Sequence, residues 1–316
     1  MQKRRWVAAV CTRVVTLAGS SGAREGNVLH VPGDYPTIQA AVDAAHPGDH
    51  VRVAAGVYNE NVVVTTTDLR LEASEGAVID GSGLSGPGVH LMGTATERLS
   101  GVRVAGFEVR GFDQGIVASL ADGVWIHRND IHSNVDKVAP FAGLTDGIGV
   151  DLRTVRFSRV SGNLVHGNGG NGIAVRIGST HNSIRANRIS GNALQSLQSP
   201  EGMGAGLVVT GPSSHNELLE NEVVANYGWG IWLTRPAGLA LSGILVAQNR
   251  SHENVRAGIA IMGSAVSDNT ILQNNATGNQ TGGLTDSPCW PFDLFDDAPV
   301  NNTFARNQGA ASPGLD

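Results

Sequence analysis

The sequence predicts a parallel β-helix, an all-β solenoid, and three observations predict it. A glycine followed by an aliphatic residue opens a short strand at Gly88-Val89, Gly115-Ile116, Gly147-Ile148, Gly172-Ile173, Gly206-Leu207, Gly230-Ile231 and Gly258-Ile259, with Gly283-Leu284 a weaker eighth. Paired asparagines recur through the same stretch, at Asn129/Asn134, Asn163/Asn168, Asn187/Asn192, Asn221/Asn226 and Asn249/Asn254. The interval stays near about two dozen residues or stretches by a loop, and holds about three short β-rich runs with no helical periodicity. Two registers locked into one period mean a unit stacked on itself, and three short runs make that unit one turn of a β-helix. Turns stack at about 4.8 Å, so equivalent residues of neighbouring repeats stand side by side. An asparagine at a repeated bend can take left-handed backbone geometry and bond its amide to the asparagines above and below. The ladder is therefore read as support for the fold, without chemistry.

Composition agrees. With 42 glycines and only 5% aromatic residues, the chain is poorly suited to a helical globule and fits one elongated domain. A net charge of −6 and the lack of a basic run argue against nucleic acid as the main partner. Cys11 and Cys289 are too few and too far apart for a disulfide framework, and no apolar run is long enough to span a membrane. Nothing in the sequence specifies an oligomer.

Residues 1–27 are expected to be a leader or a disordered extension. Lys3-Arg4-Arg5 before Trp6-Val7-Ala8-Ala9-Val10, with small residues at 19–23, reads as a secretory signal in preference to a cytoplasmic extension, although Arg13 interrupts the apolar stretch. Residues 28–316 are expected to form a single domain: a cap over 28–49, coils over about 50–285 and a C-terminal plug over 286–316. In the cap, Ile38, Ala41, Val42 and Ala45 share one face of a short helix that Pro36 helps to start and Pro47-Gly48 stops. Laid over the first coil, that face would cover open strand edges. The plug contains Cys289-Trp-Pro-Phe-Asp-Leu-Phe295, whose apolar residues have no repeat to follow.

Thr37-Ile-Gln-Ala-Ala, then Pro47-Gly48-Asp49, then Gly56-Val-Tyr-Asn-Glu60 resemble the opening of right-handed parallel β-helix proteins of the pectin-lyase-like, NosD-like (PbH1-repeat) superfamily. The resemblance runs from about Val28 onward and implies a right-handed helix. It leaves function open, because the superfamily holds polysaccharide lyases, glycosidases, epimerases, carbohydrate-binding proteins and NosD-like accessory proteins.

Function is therefore sought where the chain departs from its repeat. The turns ending at Gly147 and Gly206 are longer by roughly eight to ten residues. The extra segments, 133–145 and 193–205, emerge from one edge about 10 Å apart, which leaves room for a sugar ring between two loop walls. Strand alternation puts Ile148 and Val150 in the core and Asp151 and Arg153 outside. One outward column is then Ser119, Asp151, Arg176, Thr210, Thr234 and Met262; its neighbour is Val117, Gly149, Ala174, Val208, Trp232 and Ala260. Gln114, Asp146 and Asn171 form a polar set, with Asp113 diagonal to Asp146. Trp229, Trp232 and Tyr227 cluster in one strand, and Trp232 is expected to be an exposed indole that stacks on a sugar or packs under a loop.

Three chemistries compete for this gap. Inverting hydrolysis needs two carboxyl groups about 6.5–9.5 Å apart. Thr145-Asp146-Gly147-Ile148-Gly-Val-Asp151 and Arg176-Ile177-Gly178 resemble polygalacturonase-type motifs, but Asn168-Gly-Gly-Asn171 stands where the paired acid is required. Lyase or epimerase chemistry on a uronate needs a base, a cation for the carboxylate and a proton donor. Lys137, the one lysine outside the leader, would be the base; Arg176, Arg153 and Arg235 would hold the carboxylate, with Asp151 and Asp146 beside them. Tyr227 or His132 would donate the proton, and Thr210 and Glu201 complete the substrate-binding set. The competing structural reading is a solvated lysine and an Asp151–Arg176 surface pair. No cofactor is demanded. Asp113 and Asp146 are oxygen ligands that Ca²⁺ accepts, but two carboxylates make a weak site, and no close histidine pair suggests zinc. The leading expectation is a lyase or epimerase on an acidic glycan. Its alternatives are a non-catalytic glycan-binding or NosD-like accessory protein, and an isomerase or cyclase of an apolar small molecule.

Overall fold

The computed structural model describes residues 26–135, 147–195, 204–235, 239–281, 292–297, 301–313 and 315. It is built almost entirely of short parallel strands in three long sheets of eleven, eight and nine strands, each sheet taking one strand from successive turns. The first sheet runs from Val28–Val31 to Thr303–Ala305, the second from Gly56–Tyr58 to Arg250–His252, and the third from Val62–Val64 to Leu294–Asp296. The inward side chains form one continuous core, including Val104, Ile126, Val160, Ile184 and Leu218 on successive strands of the first sheet. The strands Leu294–Asp296 and Thr303–Ala305 lie within the stretch expected to be a plug, and they extend the third and first sheets.

The helix Ile38–Ala44 covers the first coil with Ile38, Ala41 and Val42, all buried. The motif residues that suggested the superfamily are the ones that fasten this cap. Thr37 Oγ1 accepts from Ala40 N at 3.1 Å, and Glu60 accepts from Ile38 N and Gln39 N at 2.9 and 2.8 Å. These acceptors satisfy donors that a helix start leaves unpaired, and the carboxylate sits at the positive end of the helix dipole. Gln39 pairs with the Val63 backbone as another strand would, accepting from its N at 2.7 Å and donating to its O at 3.2 Å. Asp49, buried, accepts from Asn27 N and His46 N.

Among the described residues, most asparagines form two long ladders, and Asn182–Asn216 and Asn269–Asn302 make the same bond at a third bend. In one ladder, Asn129, Asn163, Asn187, Asn221, Asn249 and Asn274 each donate Nδ2 to the next Oδ1 at 2.9–3.1 Å, the last acceptor being Asn307. The second runs through Asn134, Asn168, Asn192, Asn226, Asn254 and Asn279. The expected left-handed geometry falls one residue earlier than predicted. Arg128, Ser133, Ala186, Glu220, Ala225, Gln248 and Glu253, each directly before a ladder asparagine, have φ between 52 and 58°. The bend is made by that residue, which frees the asparagine to point inward and hold the turn above.

A second correction concerns register. The column glycine of the long turn is Gly149, not Gly147: Gln114 pairs with Ile148 and Ile116 with Val150, leaving Gly115 opposite Gly149. A Cβ on Gly149 would come within 2.6 Å of Val165 Cγ1 and 2.7 Å of Gly172 O, so only glycine fits the corner. Gly147 instead lies against Gly169 and Gly170 with φ 72°. Because the slip is two residues, Val150 stays in the core, but every outward neighbour on that rung changes.

Candidate functional site

The corrected register creates the site. On the outer face of the third sheet, His90, Val117, Asp151, Ala174, Val208, Trp232 and Ala260 stand on successive rungs. Beside them run Met92, Ser119, Arg153 and Arg176, and further along Thr210, Thr234 and Met262. Asp151 thus aligns with Val117 and Ala174 rather than with Ser119 and Arg176, which places it between two arginines.

Asp151 is fully buried. It accepts from Arg153 Nε at 2.7 Å, and from Arg176 Nε and Nη2 at 2.8 and 2.5 Å, the last two as a fork across both carboxylate oxygens. The expected surface pair is therefore a buried clamp, in which losing one partner would strand a charge. Arg153 also donates Nη2 to Gln114 Oε1 at 2.8 Å. Among the described residues, two guanidiniums thus face one carboxylate. His90, two rungs from Asp151, has Nε2 3.2 Å from Ser119 Oγ. Burial chiefly, and then the Arg153 charge, push its pKa below the ordinary histidine value, while Asp151 opposes them; the ring is neutral near pH 7. Sequence reading missed His90, because a lone histidine in a strand carries no motif; its alignment with Asp151 was hidden by the two-residue slip.

The remaining candidates divide. Thr210 lies on the same outer column. Trp232 faces outward as expected, yet it is only 6% exposed. It stacks on Trp229 at 4.2 Å, and Arg256 lies 4.6 Å over the Trp229 ring. The expected open indole is instead part of a second apolar cluster with Ala174, Val208 and Ala260, and its Nε1 has no hydrogen-bond partner. Ile148, expected in the main core, belongs to this cluster too, because its position precedes the column glycine. Tyr227, half-buried, follows the ladder residue Asn226. Arg235 donates to Ser264 Oγ at 2.7 Å beyond Thr234, two rungs or about 10 Å past Arg176, and does not join the Asp151 cluster.

His132 is a correction. It lies on the outer face of the second sheet, with Nε2 3.2 Å from Glu108 Oε1, and stacks on His166 at 4.8 Å. Rung stacking brings together histidine pairs that the sequence did not reveal, this one and His181 with His215, whose rings stack at 5.0 Å. With Asp130, whose Oδ1 is 3.0 Å from His166 Nε2, the His132–His166 pair offers three ligand atoms within 4.8 Å of one another, a set that could hold a metal ion. Asp113 accepts from Gly86 N through Oδ2 at 2.6 Å, and its Oδ1 is buried without a partner. Its expected companion Asp146 lies outside the described residues, as do Lys137 and Glu201, so the Ca²⁺ expectation rests on Asp113 alone.

Sheet topology, asparagine ladders and the Gly-opened strands define a right-handed parallel β-helix protein with a charged cluster on its third sheet. The family model described as a right handed beta helix region matches residues 59–223 and 114–287, and the chain belongs to that family. Solved structures share the fold. The Azotobacter vinelandii mannuronan C-5 epimerase AlgE4 A-module aligns with TM-score 0.55 and 15% identity over 92% of this chain and 88% of its own. DFA-IIIase from Arthrobacter chlorophenolicus A6 aligns with TM-score 0.57 and 14% identity over 89% and 83%. ORF18 of Geobacillus virus E2 aligns with TM-score 0.60 and 12% identity over 89% and 61%. No curated protein sequence matches the chain.

Proposed function

We propose that the outer face of the third sheet around Asp151 is the active site of a carbohydrate-active enzyme, a lyase or epimerase acting on an acidic glycan. The observation that carries this reading is the pair Arg153 and Arg176, two guanidiniums fixed in place on one buried carboxylate, beside a histidine kept neutral. A uronate carboxylate held against the guanidiniums has its charge offset, which makes the proton on the adjacent ring carbon easier to remove. His90 takes that proton and becomes imidazolium, and the electron pair moves into the carboxylate as an enolate. Return of a proton to the opposite face gives the epimer; expulsion of the neighbouring glycosidic oxygen gives an unsaturated sugar. Lys137 is the candidate for the second proton transfer. Similarity of fold to a mannuronan epimerase module supports the substrate class.

The test is incubation with uronate polysaccharides, followed by ultraviolet absorbance for elimination and by solvent-deuterium exchange at the ring carbon for epimerisation. Arg176→Lys keeps a cation but loses the fork, and is expected to cut turnover by about a hundredfold or more while the fold survives. As a base, His90 must be unprotonated, so the rate is expected to fall only as pH drops through a value below about 6.5, the ordinary histidine value. No turnover and no exchange on any uronate would overturn the reading. A second reading, glycan binding without catalysis, is favoured by the closure of Asp151 on both arginines; binding that survives His90→Gln unchanged would select it.

A further inference from the structure

The outer face of the first sheet carries a separate charged array. Arg70, Arg103, Trp125 and Arg159 stand on consecutive rungs, and the three arginines are exposed. Like charges directly opposite on neighbouring strands are destabilising, and Arg70 and Arg103 are such a pair. The array is nevertheless organised. Arg103 and Arg159 lie 5.4 and 5.9 Å from the Trp125 ring centroid, on the rungs either side of it. The indole is itself held, stacking on His127 at 4.0 Å and donating Nε1 to Ser161 Oγ at 2.9 Å. Exposed Arg128 adds a fourth cation, its Nε donating to His127 Nδ1 at 3.2 Å. An open groove of about 580 Å³ runs along Trp125, Arg128, Arg159 and Arg185 and has no carboxylate in its lining. Three acids border the array: Glu72 lies 3.1 Å from His50, Glu220 pairs with the groove residue Arg185 at 2.6 Å, and exposed Glu217 stands on the same column two rungs past Arg159. Among the described residues, no carboxylate forms an ion pair with Arg70, Arg103, Arg128 or Arg159, in a chain whose net charge is −6.

We propose that this face binds a polyanionic glycan chain lying along the helix axis, with its acid groups on Arg70, Arg103 and Arg159. Trp125 sets the spacing, holding Arg103 and Arg159 two rungs or about 10 Å apart, roughly two sugar rings. A glycan fits better than a single-stranded nucleic acid. Base stacking needs an open aromatic face, and the Trp125 ring is covered by His127 and flanked by guanidiniums. The inference does not depend on the reading of the Asp151 cluster.

The experiment is calorimetric titration with three probes: an oligouronate of defined length, a neutral oligosaccharide, and a single-stranded oligonucleotide of the same charge. It is run at about 50–300 mM salt on the whole chain, on Arg103→Glu/Arg159→Glu, on Trp125→Ala and on Arg176→Lys. The oligouronate is expected to bind the unaltered protein. The double charge reversal is expected to weaken it at least tenfold without lowering the melting temperature, and to flatten the salt dependence by about one to two counterions. Trp125→Ala is expected to weaken it several-fold. Loss confined to Arg176→Lys would place binding in the other cluster and overturn the proposal. So would failure of the unaltered protein to bind, binding unchanged in the double variant, or tighter binding of the oligonucleotide.

Discussion

Ala186 has φ 52° and Glu220 φ 55°, a region in which a side chain costs about 1–2 kcal/mol, and each directly precedes a buried ladder asparagine. The sequence showed the asparagines and their period, but propensity alone put the left-handed bend on the asparagine itself. The hydrogen bonds decide otherwise, because Asn187 must aim Oδ1 at Asn163 and Nδ2 at Asn221. Ala186 is exposed, so Ala186→Gly removes strain without opening a cavity. It is expected to raise stability by about 0.5–1 kcal/mol after the entropy that glycine adds to the unfolded chain. A thermal melt checks it, and a lowered midpoint would show that the bend carries no strain. Asp151 and Arg176 were legible as a pair. Arg153 as a second clamp, and His90 as a neighbour, required the true register.

The ladders act between turns, each asparagine serving three. Asn192 accepts from the N and Nδ2 of Asn168, donates to Val165 O, and donates through both N and Nδ2 to Asn226 Oδ1. Asn192→Ala leaves the buried Asn168 N and the Val165 carbonyl without these partners, so a loss of about 3 kcal/mol or more is expected in denaturant unfolding. Asn192→Asp is the sharper control. It keeps the acceptor but sets a buried carboxylate oxygen against Val165 O and Asn226 Oδ1, and should cost at least as much as the alanine. The period, the two lengthened turns and the strands were readable from glycine and asparagine spacing. What misled was a pair of glycines two residues apart, Gly147 and Gly149, which look alike in sequence. Packing against Val165 and the Gly172 carbonyl tells them apart.

Along the whole molecule, the strands of all three sheets are parallel, and among the described residues each sheet ends in a strand paired on one side only. At the N-terminal end, Ile38, Ala41 and Val42 close the core, and Val42 is 2% exposed. Val42→Asp puts a charge in that seal and is expected to expose the edge, giving concentration-dependent association in light scattering before any loss of sheet signal in circular dichroism. A variant that stays monodisperse would show that the helix is not what protects the edge. At this scale the outer faces differ in chemistry. The first sheet carries the Arg70–Arg159 array, the second the His132–His166 stack, and the third the Asp151 clamp with the tryptophan cluster.

By itself the sequence determined the β-helix, the cap and the ladders, because each depends on residue type repeated at one period, and repetition is visible in one dimension. The tertiary structure decided which residues share a face. Rungs about 4.8 Å apart join residues some two dozen or more positions apart, so a two-residue difference in register moved Asp151 between two arginines and brought His90 into line with it. Burial was likewise decided in three dimensions: Trp232 points outward by alternation, yet is enclosed by neighbours that no local pattern specifies.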